Sequence, residues 1–463
     1  MDTFQRLPFE ILTDIFEYYV HDRSKSPGVD EDQAPARRIT AYLDSQTDPV
    51  DLTHVCRSWR ATAISIPRLW ATIYAFEPKS EAHVKMFELW LERSAGPSGS
   101  YPLDLTIKQG QEGLKALLLK FLEQIIALAI PQHQRWRYIS LEIYAKCKSF
   151  FEPLYEMAPL SILRGFKLNL HGWLEGDRRH LVEFLCSSPE LRAITFGKEF
   201  ADNQSIIDTV PWSRLASLAF PYLEDESFLR ILSSSMDTLQ HVSVSELIIT
   251  SKDGSVNNST AIAHTTMRCL QSMHINEFSE ESFWYLMYPN AVEGEISAVW
   301  DSLILPSLRE IRLPTGWGDF GSPLMQKRGW ESLSSLLERS HCKLEAFEFG
   351  DDKMPELTKI LKSHLFEHLT NLRVTKVRQH PDCLQLLDAL SEACEDTQEP
   401  RMLPLLETLA LDSVCSVERV REMVSARVAA YGGFRKSKLR RVFADLTKKG
   451  FALDMDLTSQ NHA

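Results

Sequence analysis

The chain has 463 residues, 44% hydrophobic and 25% charged, which is enough apolar side chain to bury a large core and too much for a disordered or fibrous chain. Its net charge of -12 argues against a nucleic-acid surface, and the longest basic cluster, Arg435-Lys436-Ser437-Lys438-Leu439-Arg440-Arg441, reads as a solvated edge. Eight cysteines without a CxxC or paired spacing, several in apolar company (Cys186, Cys269, Cys342), imply free thiols and a reducing compartment, cytoplasmic or nuclear.

The start, Met1-Asp2-Thr3-Phe4-Gln5, has neither the basic nor the apolar region of a secretory signal. A helix is predicted from Pro8, whose missing N–H is no loss at the first helical position, with Glu10 near the positive end of the dipole. Leu7, Ile11, Leu12, Ile15 and Phe16 form an apolar stripe among Glu10, Thr13, Asp14 and Glu17. A second helical segment places Leu52, Val55, Trp59 and Ile66 on one face until Pro67 ends the run, and Pro67-Arg68-Leu69-Trp70 closes the unit. Helices this short bury little alone and need a partner in cis or in trans. Between them the polar insert His21 to Pro49 reads mostly as a mobile loop. Its Ser24, Ser26 and Ser45 are either solvated or regulatory phosphorylation sites.

Leu7-Pro8-x-Glu10-Ile11-Leu12-x-x-Ile15-Phe16, then Val55-Cys56-Arg57-x-Trp59 and Leu69-Trp70, resembles the F-box, the three-helix motif that docks F-box proteins onto the Skp adaptor of SCF-type ubiquitin ligases. The resemblance covers Leu7 to about Ile73 and departs from the family at the insert, where a short connection is usual. It implies that Leu7, Pro8, Ile11, Leu12, Ile15, Phe16, Val55, Trp59, Leu69 and Trp70 form the packed face of the motif, part of it buried on the adaptor, which in turn links to a cullin and a RING protein. The plainer reading is a helical cap on a larger domain.

Residues 76–100 read as a linker helix after an F-box over 1–75. Leu114 to Ile130 is the longest apolar run, but Lys115, Lys120, Glu123 and Gln124 interrupt it well short of a bilayer-spanning stretch, so a packed amphipathic helix and no membrane partner are expected. Beyond it one phrase recurs, Leu-x-x-Φ-x-Φ with Φ apolar. It runs Trp136-Ile139-Leu141, Leu163-Phe166-Leu168, Leu191-Ile194-Phe196, Leu215-Leu218-Phe220, Leu239-Val242-Val244, Leu270-Met273-Ile275, Leu308-Ile311-Leu313, Leu344-Phe347-Phe349, Leu372-Thr375-Val377, Leu406-Leu409-Leu411 and Leu439-Val442-Ala444. Helical runs such as Leu181–Leu185, Phe228–Leu232 and Leu333–Leu337 lie between the phrases, and Pro102–Ile107 reads as one more strand ahead of them. The series resembles a divergent leucine-rich repeat without the Asn or Cys that usually ends each phrase. The expected class is therefore α/β: a three-helix F-box followed over 101–449 by a repeat solenoid, with parallel strands on its concave face and helices on the convex one, and a tail over 450–463.

The residue between the two Φ positions points away from the core, because strand side chains alternate. In series these are Ser140, Lys167, Thr195, Ala219, Ser243, His274, Arg312, Glu348, Lys376, Ala410 and Phe443. His274, Arg312, Glu348 and Lys376 are the polar candidates for substrate binding; the plain alternative is solvated strand residues. Two insertions, Glu277 to Asp301 with Phe283, Trp284, Tyr285, Met287 and Tyr288, and Gly316 to Trp330, present rim anchors or core plugs.

Two strings invite a catalytic reading. His364-Leu365-Phe366-Glu367-His368 matches the H-x-x-E-H zinc-peptidase pattern, but it sits in the apolar lead-in to a repeat and no third ligand follows. Gly316-Trp317-Gly318-Asp319-Phe320-Gly321 matches GxGxxG, but Pro323 and polar residues follow where a helix should open, so it reads as a loop. No catalytic residue, metal or cofactor is expected. The expected function is noncatalytic: a substrate-recognition subunit of an SCF-type ligase, with a scaffold acting outside any ligase as the alternative.

Overall fold

The computed structural model describes residues 7–21, 39–40, 48–96, 101–110, 116–200, 204–249, 264–280, 297–313, 323–350, 361–375, 381–392, 402–412, 417–430, 438–446 and 451–456. The chain divides into two compact units, Met1–Pro211 and Trp212–Ala463. Both are α/β.

The first unit opens with α1 (Phe9–His21), the two-residue strand β1 (Ile39–Thr40), α2 (Pro49–Val55), α3 (Arg57–Ser65) and a 3-10 turn, Pro67–Trp70. It continues with β2 (Thr72–Phe76), α4 (Glu81–Ala95), β3 (Leu103–Lys108), α5 (Ala116–Ala129), β4 (Trp136–Tyr144), β5 (Gly165–His171), a helix Glu175–Cys186 and β6 (Ala193–Phe196). Strands β2 to β6 pair parallel in chain order, and β1 pairs antiparallel with β2. Two elements here were not legible. Strand β2 follows directly on the 3-10 turn, and β1 comes from the polar insert, where Thr40 is buried opposite Tyr74.

The second unit carries β7 (Ser217–Glu224), β8 (His241–Ile249), β9 (Thr265–Thr266), β10 (Ser272–Glu280), β11 (Leu303–Ile304), β12 (Glu310–Leu313), β13 (Ala346–Gly350), β14 (Asn371–Thr375), β15 (Thr408–Asp412), β16 (Arg441–Leu446) and β17 (Phe451–Asp456). Helices Asp225–Ser234, Pro323–Ser340, Pro381–Ser391 and Val417–Ala430 lie between strands. Strands β7, β8, β10, β12, β13, β14, β15 and β16 pair parallel in that order. Strand β17, in the span expected to be a tail, turns back antiparallel on β16, and β9 pairs with β11 apart from the rest.

Every recurrent phrase but the one beginning at Leu372 falls in register on one of these parallel strands, and β3 is the additional strand. The Φ residues stack in register, for instance Met273 with Ile311, Phe347, Leu372, Leu409 and Val442. None of these six side chains is more than 1% exposed. Each burial of this kind is worth about 1.5–3 kcal/mol, so two such columns form the spine of the core. Helix Asp225–Ser234 covers β7 and β8, and α4 covers β2.

One phrase is read three residues out of register in the sequence. Strand β14 aligns Leu372 with Phe347 and Val374 with Phe349, so the phrase is Leu369-x-x-Leu372-x-Val374. Two overlapping matches compete there, and the one with an aliphatic residue at all three positions buries them. The outward residue is accordingly Arg373, opposite Glu348; Lys376 lies outside the described residues.

A second correction concerns Pro323. The helix does open there, since a proline fits the first helical position. The GxGxxG string itself, with most of the aromatic insertion after Glu280, lies outside the described residues.

Arginines, two of them buried, tie successive strand–helix turns together. Arg135 reaches Tyr101 O (2.8 Å), Gln132 Oε1 (2.9 Å) and Ser94 Oγ (2.9 Å). Arg339 donates to the carbonyls of Leu303 and Trp300, and Arg427, 1% exposed, donates to those of Leu390, Met402 and Leu403. Each guanidinium donates to one or more backbone carbonyls far from it in sequence.

Candidate functional site

Helices α1 to α3 form a compact cluster built from the residues of the N-terminal motif. Pro8 lies one residue ahead of α1 and its carbonyl accepts from Leu12 N–H (3.1 Å). Cys56 breaks the second segment into two helices. Its backbone is extended, and its Sγ accepts the Trp59 N–H at 3.4 Å, so one residue ends α2 and caps α3. Asp51 accepts from the backbone of Asp48 (3.1 Å) to fix the start of α2.

The ten motif residues divide by environment. Leu12, Phe16, Leu69 and Trp70 are buried within the unit. Phe16 packs on the half-buried Trp59 with ring centres 4.9 Å apart. Trp70 donates Nε1–H to Ala63 O (2.8 Å), meets Trp90 edge-on and lies under the Arg93 guanidinium at 4.3 Å. Arg68 pairs with Glu17 (2.7 Å), joining the 3-10 turn to α1. Pro8, Ile11, Ile15 and Val55 face outward, and Leu7 is half-buried.

Helix α1 therefore carries two apolar stripes. One, Leu12, Phe16 and Val20, enters the core; the other, Ile11, Ile15 and Tyr18, recurs at steps of four and three and is exposed by 45%, 44% and 61%. Phe9, Tyr19 and Ile64 extend the exposed set. In the sequence the two stripes run together as one apolar pattern, and Tyr18, seven residues after Ile11, is the signal that separates the second.

The other candidate is the outward row of the second unit. In register it reads Ala219, Ser243, His274, Arg312, Glu348, Arg373, Ala410 and Phe443. Its charges pair with one another. Arg312 contacts Glu310 (2.5 Å) and Glu348 (3.6 Å), Arg373 contacts Glu348 (3.5 Å), and His274 Nε2 lies 3.4 Å from Glu310. Burial first, then the Arg312 charge, holds the His274 imidazole below its ordinary value, against the opposing pull of Glu310. A partner reading this row has to compete with ion pairs already made.

The H-x-x-E-H string does not form the helix its chemistry needs. His364–Phe366 is a three-residue 3-10 turn, whereas the zinc motif requires two histidines on one α-helical face. Glu367 and His368 line a cavity of about 420 Å³ with Phe366, Met402, Leu403 and Lys438. Among the described residues no group of three or more His, Cys, Asp or Glu side chains is placed to hold a metal ion, and no helix is long and apolar enough to cross a membrane. Cys147 is buried beside Gln109, and burial pushes its thiol up to about 12, well away from the range of a reactive cysteine. No family model matches the chain, and no curated protein matches it in sequence.

Proposed function

We propose that this chain is a noncatalytic adaptor, the substrate-recognition subunit of an SCF-type ubiquitin ligase, in which α1 to α3 are a divergent F-box and the strand–helix turns are divergent leucine-rich repeats. The observation that carries the reading is the second apolar stripe of α1. Ile11 and Ile15 stand in water, as do Val55 and Pro8, while the first stripe already supplies the core. Exposed aliphatic side chains at regular helical spacing are what a helix offers to a partner groove. The F-box resemblance names that partner as the Skp adaptor, which links to a cullin–RING pair in the cytoplasm or nucleus. This chain then does no bond chemistry: it holds a substrate lysine at high effective concentration near the charged ubiquitin enzyme.

The test is a pull-down of the full chain against purified Skp adaptor and cullin, with the paired substitutions Leu7→Ala, Pro8→Ala and Ile11→Asp, Ile15→Asp. Deleting residues 1–75 is a poor probe, because β2 starts at Thr72 and the cut removes most of its residues. Capture of both partners by the parent and neither by the variants supports the ligase reading. Capture of the adaptor without cullin points to the scaffold acting outside a ligase, and no capture discards both.

A further inference from the structure

We infer that the first unit binds an extended, carboxylate-rich protein segment at a basic site formed by Arg164, Lys167 and Arg192. This deepens the reading above by naming the chemistry of the substrate segment, and it is tested without the adaptor. At several of the parallel strands the residue just before the strand donates its N–H to the carbonyl of its equivalent one turn earlier: Arg164 to Arg137, Arg192 to Arg164, Arg309 to Gln271, Glu345 to Arg309, Glu407 to Thr370 and Arg440 to Glu407. These residues share one edge of their sheets. Where this edge holds a cation, an acid on a neighbouring turn compensates it. Arg137 makes a bidentate pair with Asp104, Arg309 pairs with Glu345 at 3.1 Å, and Arg440 lies 3.8 Å from Glu407.

Arg164 and Arg192 break that rule. They occupy adjacent equivalents, both exposed, with two backbone hydrogen bonds (2.8 and 3.0 Å) joining Arg164 O to the Arg192 and Ala193 N–H groups. Among the described residues Arg164 makes no ion pair, and Arg192 donates to the carbonyls of Pro189 (3.1 Å) and Leu191 (2.8 Å) and pairs with no acid. On the same strand, Lys167 stands exposed in register with Ser140 and Thr195, neither of which offers it a charge. Like charges on neighbouring strands destabilise a sheet, and a chain of net charge -12 has acids to spare for this position. The floor between the cations is low. Gly165 and Ala193 face each other in register, and a Cβ on Gly165 would come within 3.1 Å of both Ala193 and the Tyr138 ring, so Tyr138 walls one side.

Charge complementarity selects the ligand. Arg164 and Arg192 on adjacent turns, with Lys167 on the outward face of the same strand, carry exposed cations over several residues without an acid, which suits carboxylates carried at intervals along an extended segment.

The probe is a fluorescein-labelled octapeptide of alternating Glu and Ser, titrated with the full chain by anisotropy at low and high salt. The expected result is salt-sensitive binding that Arg164→Glu weakens at least about tenfold and Arg421→Glu, on the exposed side of helix Val417–Ala430, leaves unchanged. Arg164→Glu also restores the acid–base alternation of the edge, so its Tm should equal or exceed the parent's. No binding by the parent overturns the proposal, as does binding that survives Arg164→Glu with Lys167→Glu. Binding confined to a peptide with phosphoserine in place of Glu overturns it as well. Adaptor capture by the same variants reads α1 separately, so failure here leaves the ligase reading standing.

Discussion

His274 shows how one residue of the outward row reports on its neighbours. It sits in register with Ser243 and Arg312 and contacts Glu310, with His241 on the neighbouring strand. Burial and the Arg312 charge hold its pKa below the ordinary 6.5, so the unfolded chain binds this proton first as the pH falls. Its share of stability is complete above pH 6.5 and declines below that, down to the folded value. The urea midpoint should therefore drop more between pH 7.5 and pH 5.5 in the parent than in His274→Gln. Equal drops would mean that the imidazole is not held neutral by its surroundings.

At the scale of the element, α1 separates two roles within one helix. Phe16 is fully buried against Trp59, and Phe16→Ala should cost about 3–5 kcal/mol by denaturant unfolding, as a cavity in the small three-helix cluster. Ile15 is one residue away and 44% exposed, so Ile15→Asp should change stability by no more than about 0.5 kcal/mol while removing adaptor capture. The reverse pattern would show that the outer stripe is structural. The same division limits what the sequence showed. An apolar pattern marks Ile11 and Leu12 alike, and only the packing of α1 against α3 and the 3-10 turn decides which of them enters the core. Arg373 makes the same point on β14, where hydrogen-bond register chose between two overlapping phrases.

For the whole molecule, the division into two compact units implies that unfolding is not a single step. Strand–helix arrays are stabilised by nearest-neighbour interfaces, and cooperativity weakens along a long chain. Arg427 tests this. It lies in the second unit, with three carbonyls as partners and 1% exposure, so Arg427→Met strips those carbonyls and should cost about 3 kcal/mol or more. The loss should fall on one calorimetric transition and leave a second in place. A single transition that shifts as a whole would show that the units unfold together.

Local sequence was enough for the series of strands and for the helical character of the N-terminal segments. A Leu-x-x-Φ-x-Φ phrase encodes strand and buried face locally, through alternation, and the proline and acidic signals of α1 act within a turn or two. Tertiary structure alone decided the rest. The strands β1, β2 and β17 exist by pairing with a neighbour, Cys56 became a cap through its backbone angles, and the edge cations found acids or failed to find them according to which turns became adjacent. Such properties depend on partners distant in sequence, and no local pattern records them.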